Sequence, residues 1–396
     1  MGNVYHPDMP GRIRSLAQNE TARVVAFLTI WKASFFGFVY LSLELLPTLF
    51  SHRLYWLTFH FPKSAPPPSW IELQTWDAQH YLYLSEYGFQ AGEPSTAFFP
   101  LWPYCIKALA PLFGGNHLFA GLFLANVLSI VGLTLFWRFV LRRFGDRQVA
   151  DTALLLTLCY PGSLFFGFPY SEAVFFLVGV AAIDALARGD WRAAALISFF
   201  LPLVRGIGIF IGAPMLYVFV RDWRRDKHLD WKKLGWMLVP VAGLLSYLAF
   251  MYLETGSPTS GMKAQDAFIS NRSILDLVDV PGLFGALADV EWGHAYKTSA
   301  LDRLFFLLFA GALVVLWRRD TDKTLFFYAL PMGLIPAMTS FMSYTRYVVV
   351  VFPVFIAGAL LLAPERRRHA RWVAVGTLLV IQALLTIRYI NFRWAG

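Results

Sequence analysis

The sequence is poor in charged residues, which occupy only 15% of its 396 positions. Soluble domains carry about 25% charged residues, so the deficit is large. Apolar residues reach 57%, and the mean hydropathy is +0.53. This balance excludes an ordinary soluble protein and favours a chain that is embedded in a membrane.

Cysteine is also scarce, with only Cys105 and Cys159, and both stand in apolar surroundings. Two such residues imply neither a disulfide framework nor a cysteine metal cluster. The sequence further lacks a glycine-rich phosphate loop, zinc-ligand spacing, a nucleophile elbow and a repeat of 20–50 residues. The common soluble nucleotide-dependent enzymes, zinc proteins and α/β-hydrolases are therefore excluded.

The net charge of +9 is compatible with nucleic-acid binding, but the basic residues are not arranged for it. Lysine and arginine stand in short clusters between apolar runs, a pattern that sets the orientation of membrane helices. We therefore predict no nucleic-acid partner. The first apolar run is long and lacks a small-residue cleavage site, so we predict that it is retained as a first span.

Repeated apolar runs predict an all-α polytopic membrane protein that forms a single domain over residues 1–396. Lys32 and Glu44 fall inside the first run, and we expect both to snorkel toward its ends. Two short runs are separated only by Arg205 and Gly206, so they form either one crossing or two. Counted separately, they give about eleven transmembrane helices, at 24–46, 118–141, 149–166, 173–187, 193–204, 207–220, 234–253, 301–317, 325–340, 347–362 and 372–389.

The basic clusters predict the topology. The positive-inside rule places them, with the N-terminal tail, on the cytoplasmic side. They share that side only if residues 98–113 form a juxtamembrane or re-entrant segment and the chain turns at Arg205. Residues 51–117 are then a first large external loop with juxtamembrane helices, 254–300 are a second, and the C-terminus is external. The clusters lie at 142–147, 188–192, 221–233, 318–323 and 366–371.

A polar, aromatic stretch at 70–103 contains the first candidate site. Asp77 stands three residues before His80 and is framed by Trp76 and Tyr81. A carboxylate there suits a general base that takes a proton from a hydroxyl, and aromatic faces pack well against sugar rings. Spacing alone favours the alternative, in which Asp77 is a solvated loop acid that caps a helix. His80 would share a helix face with Asp77, either to orient or protonate a substrate or simply to pack.

Three further residues could carry chemistry. Glu172 follows a turn, where it could bind a hydroxyl or a metal or cap the next helix. Arg205 interrupts apolar sequence, and a guanidinium at that depth is costly unless it faces a cavity or an anion such as a lipid-linked phosphate. Arg346 is a second candidate, with lipid headgroup contact as its alternative. The acid pair Asp320 and Asp322 resembles a metal motif, but its short basic loop argues against one.

The segments around these candidate residues resemble the PIG-V-like mannosyltransferases. That family contains the second mannosyltransferase of GPI-anchor assembly and many prokaryotic relatives. The resemblance spans most of the chain, although 221–330 carries no recognised motif. It rests on Trp76-Asp77-Ala78-Gln79-His80-Tyr81, Tyr87-Gly88-Phe89, Glu93, Phe98-Phe99-Pro100-Leu101-Trp102-Pro103, Pro169-Tyr170-Ser171-Glu172, Leu203-Val204-Arg205-Gly206-Ile207-Gly208, Tyr344-Thr345-Arg346-Tyr347 and Phe352-Pro353.

The resemblance implies a class C glycosyltransferase fold and makes Asp77 the catalytic base in the first external loop. It implies a sugar donor on a polyprenyl phosphate, usually mannose, and inversion at the anomeric carbon. The acceptor is then a hydroxyl of a lipid-linked or envelope glycan, and membrane lipids are partners. We place the chain in the prokaryotic branch, in the cytoplasmic membrane with its active site outside.

These expectations define a candidate site and leave a cofactor and other functions as alternatives. No cofactor is predicted, although a divalent cation stays open if Asp77 and Glu172 approach each other. The alternatives to a glycosyltransferase are a transporter or flippase of a lipid-linked sugar, and a ligase or polymerase of whole oligosaccharides. The residues expected to bind substrate are Trp76, His80, Tyr81, Glu172, Arg205, Tyr344 and Arg346.

Overall fold

The computed structural model describes residues 11–46, 49–61, 67–268, 275, 281, 299–338 and 341–396, and side chains from residue 20 onward. The predicted loop at 254–300 lies mostly outside these residues. Over the described ranges the chain is helical and contains no β-strand, so the all-α fold class is confirmed.

Helices of very different length follow one another along the chain. Short 3-10 segments at Pro94–Ala97, Pro161–Phe166 and Gly206–Ile211 connect some of them. The helices are α1 Gly11–Leu45, α2 His52–Leu57, α3 Asp77–Tyr87, α4 Leu101–Leu109, α5 His117–Phe144, α6 Arg147–Cys159, α7 Glu172–Ala187, α8 Trp191–Ser198, α9 Leu201–Val204, α10 Gly212–Asp226, α11 Trp231–Trp236, α12 Val239–Thr255, α13 Ser260–Ala264, α14 Ala300–Arg319, α15 Thr324–Ala337, α16 Tyr344–Val348, α17 Pro353–Leu362 and α18 Arg368–Ile390.

Several helical segments are long and apolar enough to cross a bilayer, so the chain is an integral membrane protein. Each apolar run predicted from the sequence overlaps a helix among the described residues, whereas eleven crossings remain a prediction. Shorter apolar helices occur at Trp191–Val204, Thr324–Ala337 and Pro353–Leu362. Among the described residues six segments meet the length, at Glu20–Leu45, His117–Phe144, Gly206–Asp226, Trp231–Thr255, Ala300–Arg319 and Glu365–Ile390.

The proline-rich segment 98–113 forms α4 and one 3-10 turn. The nine residues of α4 extend about 14 Å, less than half of the ~30 Å hydrocarbon core. The indole of Trp102 donates to the carbonyl of Pro169 at 3.1 Å, at the turn that precedes α7. α4 alone is therefore too short to cross, and a juxtamembrane or re-entrant segment at 98–113 remains a prediction.

Residues 191–226 form two antiparallel segments that turn at Arg205. Lys233 contacts both ends of this stretch, because its Nζ lies 5.4 Å from the ring centre of Trp191 and 2.8 Å from a carboxylate oxygen of Asp222. At the turn, a Cβ on Gly208 would lie 2.3 Å from the Leu201 carbonyl carbon, so only glycine allows this approach. The structure therefore favours two segments over one long crossing.

The two ends of the helix bundle carry different loops. Basic loops meet at one end, where Arg143 lies 2.8 Å from Asp320 and Arg221 lies 3.1 Å from Asp322. We call these four residues the basic-end network. From there the 28 residues of α5 extend about 42 Å to the region of α3, which therefore lies at the opposite end.

The first span shows one clear departure from expectation. Lys32 is only 9% exposed and its Nζ donates to the carbonyl of Phe166 at 2.8 Å. The expectation that Lys32 snorkels was wrong, because the irregular 3-10 turn Pro161–Phe166 offers a carbonyl partner inside the protein. Glu44 is exposed near the end of α1, as expected.

Candidate active site

A cavity of about 1040 Å³ opens at the α3 end of the bundle. Most of its wall is apolar, with Phe98, Phe99, Phe210, Met262 and Tyr247 among the lining residues. The charged residues of the wall, Asp77, Arg205 and Arg346, are ones that the sequence singled out. Six of the eight predicted site residues line it, namely Trp76, Asp77, His80, Tyr81, Arg205 and Arg346.

Asp77 begins α3, so its carboxylate lies at the helix N-terminus, where negative charge is favoured. The residue before it, Trp76, has φ 54° and ψ −124°, a costly backbone conformation for a side chain other than glycine. Its indole donates to the carbonyl of Arg393 at 3.0 Å, and its ring packs on Phe392 and Trp394. The C-terminal segment therefore holds Trp76 in the strained conformation that orients Asp77.

Arg346 connects two carboxylates. Its Nη1 binds Oδ2 of Asp77, and its Nε binds Oε1 of Glu172. The guanidinium also lies 4.5 Å from the ring centre of Tyr170 and 5.1 Å from that of Phe165. The Arg346 side chain is 6% exposed, whereas that of Asp77 is 25% exposed. Asp77 therefore faces the cavity from a position that Arg346 fixes.

Arg205 reaches the same centre from the turn between α9 and the 3-10 segment. Its Nη2 binds Oε1 of Glu172, its Nε donates to Oγ of Ser171 at 3.1 Å, and its guanidinium lies 5.3 Å from the ring centre of Tyr347. The remaining nitrogen, Nη1, is buried and has no hydrogen-bond partner among the described residues. An unsatisfied buried donor beside a cavity is suited to an anionic ligand.

Two predicted substrate-binding residues lie behind the cavity wall. Glu172 is fully buried between the two arginines, and its Oε2 has no partner within the described part of the chain. Tyr344 is also fully buried, and its ring packs against Phe306 and Phe341. Neither lines the cavity. The physical reason is that both side chains point into the helix packing, where Glu172 balances charge and Tyr344 fills space.

His80 lies between two parallel rings, with Phe59 at 3.9 Å and Phe98 at 4.9 Å between ring centres, and its Nδ1 lies 2.8 Å from Oγ of Ser95. Burial lowers the pKa of His80 to about 4, although the Asp77 charge opposes the shift. The imidazole is therefore neutral near pH 7. It is suited to orienting a substrate hydroxyl and not to donating a proton as an acid.

Tyr81 connects α3 to the turn before α7. Its hydroxyl lies 2.9 Å from Oγ of Ser171, the same oxygen that accepts from Arg205. Burial raises the pKa of Tyr81 to about 12, so the phenol stays protonated. Tyr81 and Ser171 thus fix the orientation of the Arg205 guanidinium.

Sequence reasoning missed three residues of this site. Ser171 and Tyr170 stand beside Glu172 in a block that was noted, but neither carries a charge that marks it as functional. Trp394 lines the cavity, and nothing in its local sequence links it to Trp76, which stands much earlier in the sequence. Only the fold brings these residues together.

The arrangement of the two carboxylates bears on a metal site. Asp77 and Glu172 do approach each other, but the guanidinium of Arg346 lies between them. Within the described ranges no group of three or more His, Cys, Asp or Glu side chains is placed to hold a metal ion. The guanidinium of Arg346 supplies a positive charge between the two carboxylates.

Comparisons with known proteins identify similar sequences and a similar fold. Residues 64–249 match the family model described as mannosyltransferase (PIG-V). The GPI alpha-1,6-mannosyltransferase 2 of Rattus norvegicus is 33% identical over 149 residues, covering 35% of this chain and 30% of the rat protein. The Homo sapiens protein is 33% identical over 149 residues, covering 35% and 29%. The matched region thus spans less than a third of these curated relatives.

A solved structure is similar over most of the fold. ArnT from Cupriavidus metallidurans, bound to undecaprenyl phosphate, aligns with a TM-score of 0.54 and 13% sequence identity, covering 89% of this chain and 63% of ArnT. At that identity the likeness concerns the fold. The chain is therefore similar in sequence to the PIG-V mannosyltransferases over residues 64–249, and its fold is that of the class C glycosyltransferases.

Proposed function

We propose that this protein is a membrane glycosyltransferase that moves a hexose, mannose by family likeness, from a polyprenyl-phosphate donor to a hydroxyl of a lipid-linked or envelope glycan. The single observation that supports it best is the shared cavity: Asp77, Arg205 and Arg346 all line it. A base can activate the attacking hydroxyl on one side of the anomeric carbon, and two anion-binding groups can hold the departing phosphate on the other.

The reaction begins with the acceptor hydroxyl at Asp77. The carboxylate takes the hydroxyl proton while the acceptor oxygen forms a bond to the anomeric carbon, on the face opposite the phosphate. The bond between that carbon and the phosphate oxygen breaks, and the configuration inverts. The phosphate changes from a singly charged diester to a monoester with about two negative charges near neutral pH, and one proton has passed to Asp77.

The arginines stabilise the departing phosphate. Arg205 has an unsatisfied buried Nη1, and Arg346 lies beside Asp77. A planar guanidinium binds phosphate oxygens through two parallel N–H groups, which a lysine cannot reproduce. Glu172 holds the two guanidinium groups side by side and balances their charge before the donor enters. His80 and Trp76 contact the acceptor sugar.

The apolar part of the cavity suits the lipid chain of the donor. Its aromatic and aliphatic wall includes Phe98, Phe210 and Ile335, and burial of an isoprenoid chain there removes apolar surface from water. ArnT, which shares the fold, binds undecaprenyl phosphate. The cavity lies at the end of the bundle opposite the basic loops, which supports an active site on the external face of the membrane.

The test compares two acids on the same helix. Purified Asp77→Asn in detergent or nanodiscs should transfer mannose from polyprenyl-phosphate mannose about a thousandfold more slowly than wild type. Glu86→Gln, on the exposed side of α3, should retain wild-type turnover. Full activity of folded Asp77→Asn would remove Asp77 from the mechanism. Translocation of the lipid-linked sugar without a glycosidic product would identify a transporter instead.

A further inference from the structure

The helix that carries Arg346 cannot position this residue by itself. α16 has only five residues, and isolated helices shorter than ~12 residues are marginal. The preceding segment contains two residues with positive φ, Phe341 at 57° and Ser343 at 58°. Ser343 stands at the N-cap and makes no side-chain capping bond. The position of Arg346 must therefore be fixed from outside α16.

A carboxylate from another helix supplies the missing cap. Asp302, in the first turn of α14, is fully buried. Its Oδ1 accepts from the backbone N–H of Thr345 at 2.6 Å and from the hydroxyl of Thr345 at 2.5 Å. An unpaired N–H at the start of a helix needs such an acceptor, and a carboxylate is favoured there. Both bonds attach to the residue directly before Arg346.

The backbone of α16 also packs closely against another segment. A Cβ on Gly162 would lie 2.5 Å from the carbonyl oxygen of Thr345 and 3.2 Å from the Cα of Arg346. The 3-10 turn that contains Gly162 therefore blocks movement of α16 toward it. Asp302 holds Thr345 through two hydrogen bonds. Together these contacts fix the backbone at Thr345 and Arg346.

We infer that Asp302 is a positioning residue for Arg346 and acts through Thr345. The inference rests on the proposed function, in which Arg346 contacts both the catalytic base and the departing phosphate. Asp302 does not line the cavity, so it touches neither substrate. Its role is to keep the guanidinium of Arg346 within reach of Asp77, because a displacement of ~1 Å at such a contact costs about a hundredfold in rate.

Thr345 offers a variant series that spares the buried charge. Thr345→Val removes the hydroxyl bond to Asp302 while keeping the shape and the backbone bond, and Thr345→Ser keeps the hydroxyl. We expect kcat with polyprenyl-phosphate mannose to fall about tenfold in Thr345→Val, with the acceptor KM unchanged, and to recover in Thr345→Ser. Asp302→Ala, which removes both bonds, should lose about a hundredfold.

Thr386→Val is the matched control. Thr386 is also fully buried and bonds to the carbonyl of Gln382 at 2.8 Å within its own helix. It should lower thermal stability about as much as Thr345→Val without changing kcat for the folded protein. Equal kcat in Thr345→Val and wild type would overturn the inference while leaving the proposed function intact. An inactive wild-type protein would instead overturn the proposed function.

Discussion

Two networks of arginine and carboxylate lie at opposite ends of this helix bundle, and only the one at the α3 end lines the cavity described above. In the basic-end network, Nη2 of Arg143 binds both oxygens of Asp320 and the carbonyl of Asp322. At the other end, Arg346 and Arg205 share Glu172, and Arg346 also binds Asp77. The residue types are the same, so the residue types alone do not indicate function.

The difference lies in what surrounds the charges. The basic-end network joins three of the basic clusters, and its members do not line the cavity. At the site, both arginines line the cavity and Arg205 keeps a buried nitrogen without a partner in the described structure. Charges that pair across loops hold the fold, whereas charges that pair beside a cavity are available to a ligand.

The same substitution at both ends tests this difference most strongly. Arg346→Lys should lower kcat about a thousandfold, because one ammonium group cannot bind Asp77, Glu172 and a phosphate at once. Arg143→Lys should leave kcat unchanged and lower the free energy of unfolding by about 1 kcal/mol per lost hydrogen bond. Turnover of the purified, folded variants and their thermal melting separate the two effects.

The reverse pattern would break the comparison. If Arg143→Lys lost turnover without losing stability, the basic-end network would take part in the reaction cycle. If Arg346→Lys melted early but kept its kcat, the site network would be a structural ion pair like the other.

The stability of the protein at acid pH provides a second test, at the end of the bundle that carries the site. The pKa of His80 falls to about 4, from 6.5 for the free side chain, so the unfolded chain binds a proton between these values and the folded protein does not. Stability therefore falls as the pH decreases from about 6.5 to about 4, by up to about 3 kcal/mol from this residue. His80→Gln should flatten this part of the stability curve, measured as melting temperature against pH.

His228→Gln is the control for this effect. His228 is exposed between α10 and α11, at the basic end, so this variant removes a histidine away from the site. A slope that persists in His80→Gln would show that acid acts elsewhere in the protein. Turnover at pH 7 should also not depend on a protonated His80, since the imidazole is neutral there.

Much of the fold could be predicted from composition and charge. Apolar runs of bilayer length fix the helices, and the basic clusters require both the short α4 and the turn at Arg205. Lys32 was placed wrongly because its partner, the carbonyl of Phe166, belongs to a turn that no local pattern reveals. Eleven crossings remain a prediction.

The charged residues of the site could be predicted from the sequence, whereas the residues that hold them in place could not. Asp77 stands out by its aromatic frame and by the family resemblance, whereas Arg205 and Arg346 stand out because a charge near apolar sequence is costly without a purpose. Glu172 stood out for the same reason, yet burial behind the arginines was invisible in the sequence. Asp302 and Gly162 carry no signal at all, because their effect depends on contacts with α16 that only the fold creates.

The smallest effect we expect concerns Gly162, which tests whether backbone contact alone positions Arg346. Gly162→Ala should push α16 away from the 3-10 turn, since the new Cβ would meet backbone atoms that cannot rotate aside. We expect roughly tenfold lower kcat. Gly311→Ala is the control, because no atom lies within 4 Å of its Cβ position in α14 and the helix should gain up to ~1 kcal/mol. Wild-type kcat in folded Gly162→Ala would mean that α16 tolerates displacement, and positioning would then depend on Asp302 alone.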